Sequence, residues 1–362
     1  MVGAASITSV FLLILLAAGP NSLPAFVSAA DECQEPPQPA VVEGLSWSFY
    51  KQSCPKLEHI IRRHLKKVFE QDITLAATLL RIHFHDCFVQ GCDGSLLLDG
   101  TASDPSEKEA APNLSLRAEA FTVIDELSAL VQDECGQVVS CADIAALAAR
   151  DSVHLSGGPN YGVPLGRRDG TSFATQATTL ANLPSPFSNA TTILSEFAAK
   201  GLDDTDTVAL SGGHTIGRSH CAAFVPRLYP TQDPTLNPAF ADELKITCPD
   251  TNSTNITVLD LRTPNKFDKK YFVDLENHEG LFTSDQDLYS NERTKEIVEA
   301  FSVDQDLFFE KFSVAMIKLG QIQVLTGTEG EIRTNCSAKN SDSFPGLQYG
   351  AEDGTYDGRD EL

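Results

Sequence analysis

The sequence predicts a mainly α-helical protein with long connecting loops. Apolar residues recur at helical spacing in several segments, whereas the alternating pattern of β-strands is scarce and no short internal repeat occurs. The chain has 362 residues, of which 42% are hydrophobic and 21% charged. It is therefore long enough for one large domain or two lobes around a buried core.

The first thirty residues have the pattern of a secretory signal peptide. A short apolar run at 10–18 precedes small residues that end in Val27-Ser-Ala-Ala30, although a positive n-region is missing. The run is shorter than the about 20 residues that a spanning helix needs, so we expect a soluble mature protein without membrane contact. Residues 31–45, rich in Pro and Glu, are expected to form a flexible extension.

Helices are predicted next along the chain, each from an apolar face or an apolar run. The predicted segments are 57–68, 74–88, 142–153, 193–199, 206–210 and 306–319. We place the boundaries of the main domain at residues 46 and 337. Residues 338–362 are acidic and rich in Gly, and we expect a disordered tail.

Charge and cysteine usage narrow the class of protein. The net charge of −23 argues against a nucleic-acid partner, which needs clustered Lys and Arg. The nine cysteines are not paired as CxxC, so a zinc cluster is disfavoured and disulfides are expected in an oxidising compartment. Only Cys87 and Cys92 have a local reason to pair, because they flank a short loop; the other connectivities stay open. Five N-x-S/T sequons permit glycosylation, at Asn113, Asn189, Asn252, Asn255 and Asn335.

A cation and an imidazole share one face of the helix predicted at 74–88. Arg81 and His85 are four residues apart, so both side chains project the same way. Such a pair suits cleavage of a peroxide O–O bond, with His85 moving the proton and Arg81 stabilising the departing oxygen. His83 lies two positions from His85 and therefore points elsewhere. For the same reason the zinc hydrolase alternative for His83-x-His85-Asp86 is disfavoured.

The motif around Arg81 and His85 is long enough to be compared with a known family. The segment that closely resembles the distal helix of the secretory plant peroxidases (class III haem peroxidases) is Arg81-Ile-His-Phe-His-Asp-Cys-Phe-Val-Gln-Gly-Cys-Asp-Gly-Ser95. The resemblance extends from about residue 46 to residue 336. It implies a two-lobed fold with haem b (iron protoporphyrin IX) between distal and proximal helical lobes. It also implies that Asn113, in Glu107-Lys-Glu-Ala-Ala-Pro-Asn113, accepts a hydrogen bond from the distal His and stays unglycosylated.

The proximal side is implied by two further segments. Leu210-Ser-Gly-Gly-His214-Thr-Ile-Gly-Arg resembles the family's proximal motif, and His214 matches the iron ligand. Gly280-Leu-Phe-Thr-Ser-Asp285-Gln resembles the segment that supplies its carboxylate partner, Asp285. Such a hydrogen bond orients the imidazole and makes it a stronger electron donor.

The resemblance implies two calcium ions as well. The distal set, rich in the hard oxygens that calcium prefers, comprises Asp86, Asp93 and Ser95 with the carbonyls of Val89 and Gly91. The proximal set comprises Thr215, Asp260, Thr263 and Asp268, with the carbonyl of Lys266 as its least certain member. Taken without the family, the distal set would be an ordinary Asp/Gly turn.

Four disulfides and a donor site complete the implied features. The bridges are Cys54–Cys135, Cys87–Cys92, Cys141–Cys336 and Cys221–Cys248. Cys33 is left free, capped or bonded to another molecule. Pro164, in Val163-Pro164-Leu-Gly-Arg-Arg-Asp169, is expected to line the aromatic-donor site at the haem edge.

The function implied is reduction of hydrogen peroxide with one-electron oxidation of phenolic or other small aromatic donors, by a monomer. A non-catalytic haem or calcium carrier is disfavoured, because all five residues of the two constellations are present. An intracellular ascorbate-type peroxidase is disfavoured by the signal peptide and the cysteines. The family implies the cell wall, extracellular space or vacuole. The last four residues, Arg359-Asp-Glu-Leu362, indicate ER retention instead, unless the tail is a removable vacuolar propeptide.

Overall fold

The computed structural model describes residues 39–343, which are predominantly helical, as predicted. The helices in this part of the chain are α1 Leu57–Gln71, α2 Leu75–Val89, α3 Ala118–Cys135, α4 Cys141–Leu155, α5 Gln176–Asn182, α6 Ala190–Ala198, α7 Asp204–Ser211, α8 Pro238–Thr247, α9 Lys270–Glu276, α10 Thr283–Ser290, α11 Lys295–Val303, α12 Gln305–Leu319 and α13 Asn340–Ser343. Short 3-10 turns join several of them.

Two groups of helices organise the packing. In the first, α2 packs against α4, and α1 packs against both α3 and α4. In the second, α7 packs on α12, while α11 packs on α9, α10 and α12. The distal motif lies on α2 in the first group. The proximal motif follows α7 in the second group.

Helix α2 is unusual because it is apolar on nearly every side. Eleven of its fifteen residues are buried, including both His83 and His85. A helix that is buried all round is held by its neighbours and not by one amphipathic stripe. Its side chains are therefore fixed on several faces at once, which suits the placement of reactive groups.

The β structure among the described residues is small. Strand β1 (Arg218–His220) pairs antiparallel with β2 (Ile256–Val258), with Ser219 opposite Thr257. The Cys221–Cys248 bridge follows β1 directly. This hairpin-like tie holds the chain just after His214.

All four predicted disulfides form in the structure. They are Cys54–Cys135, Cys87–Cys92, Cys141–Cys336 and Cys221–Cys248. Cys33 lies outside the described residues. The predicted signal peptide, residues 1–30, and most of the predicted tail also lie outside them.

The folded body reaches a few residues beyond both predicted boundaries. Leu45 is buried, and the Val42 amide donates to Gln321 Oε1 at 2.7 Å, so the segment expected to be a flexible extension is attached to the folded body. At the other end, Asn340 accepts from the Thr334 amide at 3.0 Å and donates to the Ile332 carbonyl at 2.9 Å. The composition of these segments does not predict such hydrogen bonds. None of the helices in residues 39–343 is long and apolar enough to cross a membrane.

Candidate active site

The distal pair forms on α2 as predicted from its spacing. Arg81 Nε donates to His85 Nε2 at 3.0 Å. On its other side, His85 Nδ1 is 2.5 Å from Asn113 Oδ1. An amide oxygen can only accept, so Nδ1 carries the proton and Nε2 presents its lone pair toward Arg81.

The side chain of Asn113 is itself fixed by a second hydrogen bond. Its Nδ2 donates to the Glu107 carbonyl at 2.7 Å, and the residue is 98% buried. The amide is thereby oriented so that only its oxygen can face His85. Because the amide is buried and bonded at both ends, that this sequon stays bare remains our prediction.

Burial sets the charge state of the distal pair. Desolvation lowers the pKa of His85 well below its usual 6.5, Arg81 lowers it further, and the bond to Asn113 opposes the shift. His85 is therefore neutral near pH 7 and can accept a proton. Burial lowers the pKa of Arg81 to about 10, which leaves the guanidinium charged.

The two terminal nitrogens of Arg81 donate to the segment around Asn113, residues 112–115. Nη1 donates to Ser115 Oγ at 2.8 Å and Nη2 to the Pro112 carbonyl at 2.9 Å. The guanidinium plane is thus fixed between α2 and this segment. The segment thereby holds the positive charge of Arg81 beside His85.

The proximal residue His214 follows α7 in a 3-10 turn, Gly212–Thr215. Helix α7 begins with a capping box in which Asp203 and Asp206 bond each other's backbone amides. At its end, Gly212 packs so closely on α12 that a Cβ there would lie 2.5 Å from the Phe308 ring. Only glycine allows this approach, so the turn that carries His214 is held against α12.

His214 is bonded to the predicted carboxylate. Its Nδ1 lies 2.7 Å from Asp285 Oδ1. Asp285 is 98% buried and also receives the Tyr271 hydroxyl on Oδ1 at 3.0 Å and the Phe282 amide on Oδ2 at 2.9 Å. The Phe282 and Tyr271 rings both stand edge-on to the imidazole, with centroids 5.5 and 6.0 Å away.

The two constellations border each other. A Cβ built on Gly213, one residue before His214, would lie 3.6 Å from Leu80, one residue before Arg81. A Cβ on Gly217 would lie 3.2 Å from Ala77 of α2. The chain that carries the proximal His therefore packs directly on the helix that carries the distal pair.

The donor set of His214 suits iron. Nδ1 is bonded to Asp285, and no described residue hydrogen-bonds Nε2, which is therefore available to a metal. The imidazole is 39% exposed although its partner is buried. An imidazole with one nitrogen fixed by a carboxylate is the usual arrangement of a metal-bound His.

The predicted distal calcium residues converge. Asp86 accepts from the Gly94 and Leu96 amides at 2.9 and 3.2 Å, and Asp93 accepts from the Ser95 amide at 3.0 Å. Ser95 is fully buried beside these carboxylates. Burial, with Asp93 nearby, raises the pKa of Asp86 well above its ordinary value. Crowded buried carboxylates of this kind are relieved by a cation.

The residues predicted for the proximal calcium site also lie together. The Thr215 hydroxyl donates to Asp260 Oδ2 at 2.9 Å, and the Thr263 hydroxyl donates to Asp268 Oδ1 at 3.0 Å. Burial raises the pKa of Asp260, and Asp268 adds to the rise. Within the described residues, no group of three or more His, Cys, Asp or Glu could hold a metal. Each predicted set has only two carboxylates, so it depends on hydroxyl and carbonyl oxygens.

Pro164 is buried and lines a small cavity with His83, Tyr161, Arg167 and Met316. Its place at the aromatic-donor site therefore stays a prediction. His83 lines the same cavity and, as predicted, points away from His85; burial, with Arg167 adding, lowers its pKa to about 3.

Two residues that support the proximal side were not predicted from the sequence. Tyr271 is one, and burial followed by Asp285 raises its pKa well above 10, so it remains a donor. Arg227 is the other: it is 97% buried, and Nη1 donates to the carbonyls of Gly280 and Leu281 at 2.5 and 2.9 Å. Nothing in the sequence marks them, because their partners are 14 and more than 50 residues away.

Comparisons with known proteins agree with this geometry. The family model described as peroxidase matches residues 61–304. The chain is 60% identical to Peroxidase 12 of Arabidopsis thaliana over 96% of both chains. It is 56% identical to Cationic peroxidase SPC4 of Sorghum bicolor over 84% of both, and 47% identical to Peroxidase 15 of Arabidopsis thaliana over 81% of this chain and 88% of that one. The chain therefore belongs to the peroxidase family as a class III plant peroxidase, a haem enzyme that reduces hydrogen peroxide while it oxidises phenolic or other small donors.

Proposed function

We propose that Arg81, His85 and Asn113 carry out the peroxide step, and that His214, with Asp285 as its partner, would hold the iron of haem b. The observation that carries this assignment is the chain of bonds from Arg81 through His85 to Asn113, at 3.0 and 2.5 Å. Bound haem would supply the redox chemistry, taking two oxidising equivalents from peroxide and returning them to donors one electron at a time.

His85 acts as the proton carrier. Its Nε2 accepts the proton of the entering peroxide while Nδ1 stays bonded to Asn113, and the imidazolium then gives that proton to the departing oxygen. General acid–base transfer of this kind contributes about 10²–10⁴ in rate. The entering peroxide must displace Arg81 from Nε2, which frees that guanidinium N–H to stabilise the charge on the leaving oxygen.

Two calcium ions would stabilise the site by fixing the segments that carry the two histidines. Asp86 directly follows His85, and Thr215 directly follows His214. A cation at each set would neutralise buried carboxylates and tether the segment that carries the adjacent His. Its role is positional, since neither set includes a residue assigned to the peroxide step.

Peroxide cleavage by His85 is tested with a matched pair of variants. His85→Leu should keep the Soret band and lose at least about 10²-fold in the rate of reaction with peroxide. His83→Leu, on the same helix and equally buried, should change that rate little. Equal losses in the two variants would overturn the assignment, because the effect would then reflect packing of α2 and not the chemistry of one imidazole.

The phenolic donor class, a monomeric state and entry into the secretory pathway complete the proposal. The signal-peptide pattern and four disulfides support secretion, to the cell wall, extracellular space or vacuole. Residues 338–362, ending in Arg359-Asp-Glu-Leu362, would redirect it to the ER or serve as a vacuolar propeptide. A secreted reporter fused to this tail distinguishes the destinations.

A further inference from the structure

We propose that Tyr271 tunes the electron donation of the proximal histidine by competing with it for one carboxylate oxygen. The inference rests on the proposed role of His214 as iron ligand. It concerns a residue that touches neither haem nor peroxide by this assignment, so Tyr271 is a positioning and tuning residue.

His214 and Tyr271 share one acceptor atom, Oδ1 of Asp285. Asp285 Oδ1 receives His214 Nδ1 at 2.7 Å and the Tyr271 hydroxyl at 3.0 Å. Both donors point at the same atom, while Oδ2 is occupied by the Phe282 amide at 2.9 Å. Each added donor withdraws negative charge from the carboxylate, so the carboxylate attracts the Nδ1 proton of His214 less strongly.

Burial makes this competition effective. Tyr271 is 98% buried and Asp285 is 98% buried, so water does not screen or replace the bond. Hydrogen bonds to a charged group are stronger in such surroundings than in water. Among residues 39–343 the hydroxyl has no other acceptor, and its ring is fixed by an edge contact with Phe272 at 5.1 Å.

The consequence has a definite sign. A carboxylate that also binds Tyr271 pulls less on the Nδ1 proton, so the imidazole of His214 is a weaker donor through Nε2 than Asp285 alone would make it. Removal of the hydroxyl should therefore strengthen the His214–Asp285 bond. Mere loss of structural support would loosen Asp285 and weaken that bond, which is the opposite result.

Tyr271→Phe in the holoenzyme tests this directly. We expect the iron–histidine stretching frequency of the ferrous protein, read by resonance Raman, to rise, and the Fe(III)/Fe(II) potential to fall. The rate with peroxide should increase by at most about tenfold, the equivalent of one ordinary hydrogen bond. Tyr50→Phe is the matched control, because Tyr50 is also a buried tyrosine whose hydroxyl donates to a carboxylate, that of Asp143 at 2.8 Å; it should move neither readout.

A second control separates this proposal from the assignment of His214. Asp285→Asn removes the acceptor charge and should lower the stretching frequency. If Asp285→Asn lowers it and Tyr271→Phe leaves it unchanged or lowers it too, the competition is refuted while the proximal assignment stands. If neither variant changes it, His214 is not the ligand and the proposed function itself fails.

Discussion

Asn113 is the residue whose removal most sharply tests the distal chemistry. In the structure its carboxamide oxygen accepts a hydrogen bond from Nδ1 of His85 at 2.5 Å. We consider Asn113→Val, which keeps a side chain of similar size and removes the acceptor. His85 Nδ1 would then lose its partner, and the tautomer that presents the Nε2 lone pair would no longer be favoured.

The expected loss follows from the charge that develops. When His85 takes the peroxide proton it becomes an imidazolium, and the bond to Asn113 becomes charge-assisted in a buried site. Such a bond contributes about 1.5–3 kcal/mol, which corresponds to about 10- to 150-fold in rate. We therefore expect the second-order rate constant with hydrogen peroxide to fall by that factor while the haem remains bound.

The assay is stopped-flow absorbance of the haem after mixing with peroxide. Asn252→Val is the matched control, since it also removes a sequon asparagine but one that is exposed. It should leave the rate unchanged and alter at most the glycan mass. A rate for Asn113→Val within about twofold of the control would refute the tautomer argument.

Three further predictions concern calcium, pH and the donor site. Chelation of calcium should lower the melting temperature and abolish most of the turnover, because Asp86 and Asp260 are left as uncompensated buried carboxylates. Unchanged turnover with an unchanged haem spectrum after verified metal removal would contradict this prediction. The Thr74 hydroxyl and then Arg117 lower the pKa of Asp72, so its stabilising contribution is present above about pH 4 and is lost as pH falls further. Asp72→Asn should accordingly lower the melting temperature near neutral pH and converge with wild type in acid, and an equal deficit at both would count against this. Pro164→Ala should raise the KM for guaiacol if Pro164 lines the donor site; an unchanged KM would exclude that role.

The fold was predictable where sequence pattern is local. Apolar spacing located α1, α2 and α12 within a few residues. Helix α3, the longest in the described residues, was not predicted, although its buried residues recur at helical spacing.

The site was predictable in its motifs and less so in their surroundings. Spacing alone placed Arg81 and His85 on one face, and it separated His83 from them. Asp285 lies 71 residues from His214, so only the family resemblance could join them. Pro164 is buried beside His83, and its donor role stays a prediction, because the sequence of a loop does not say which face of a helix it covers.

The central claim is that His214 holds the haem, with the Arg81 and His85 pair above it. Replacing His214 with Gly leaves space for free imidazole, and the absorption spectrum of the haem is the readout. We predict that His214→Gly shifts the Soret band and loses peroxidase turnover, and that added imidazole restores both in part. A Soret band and turnover identical to those of wild type, without imidazole, would contradict the account.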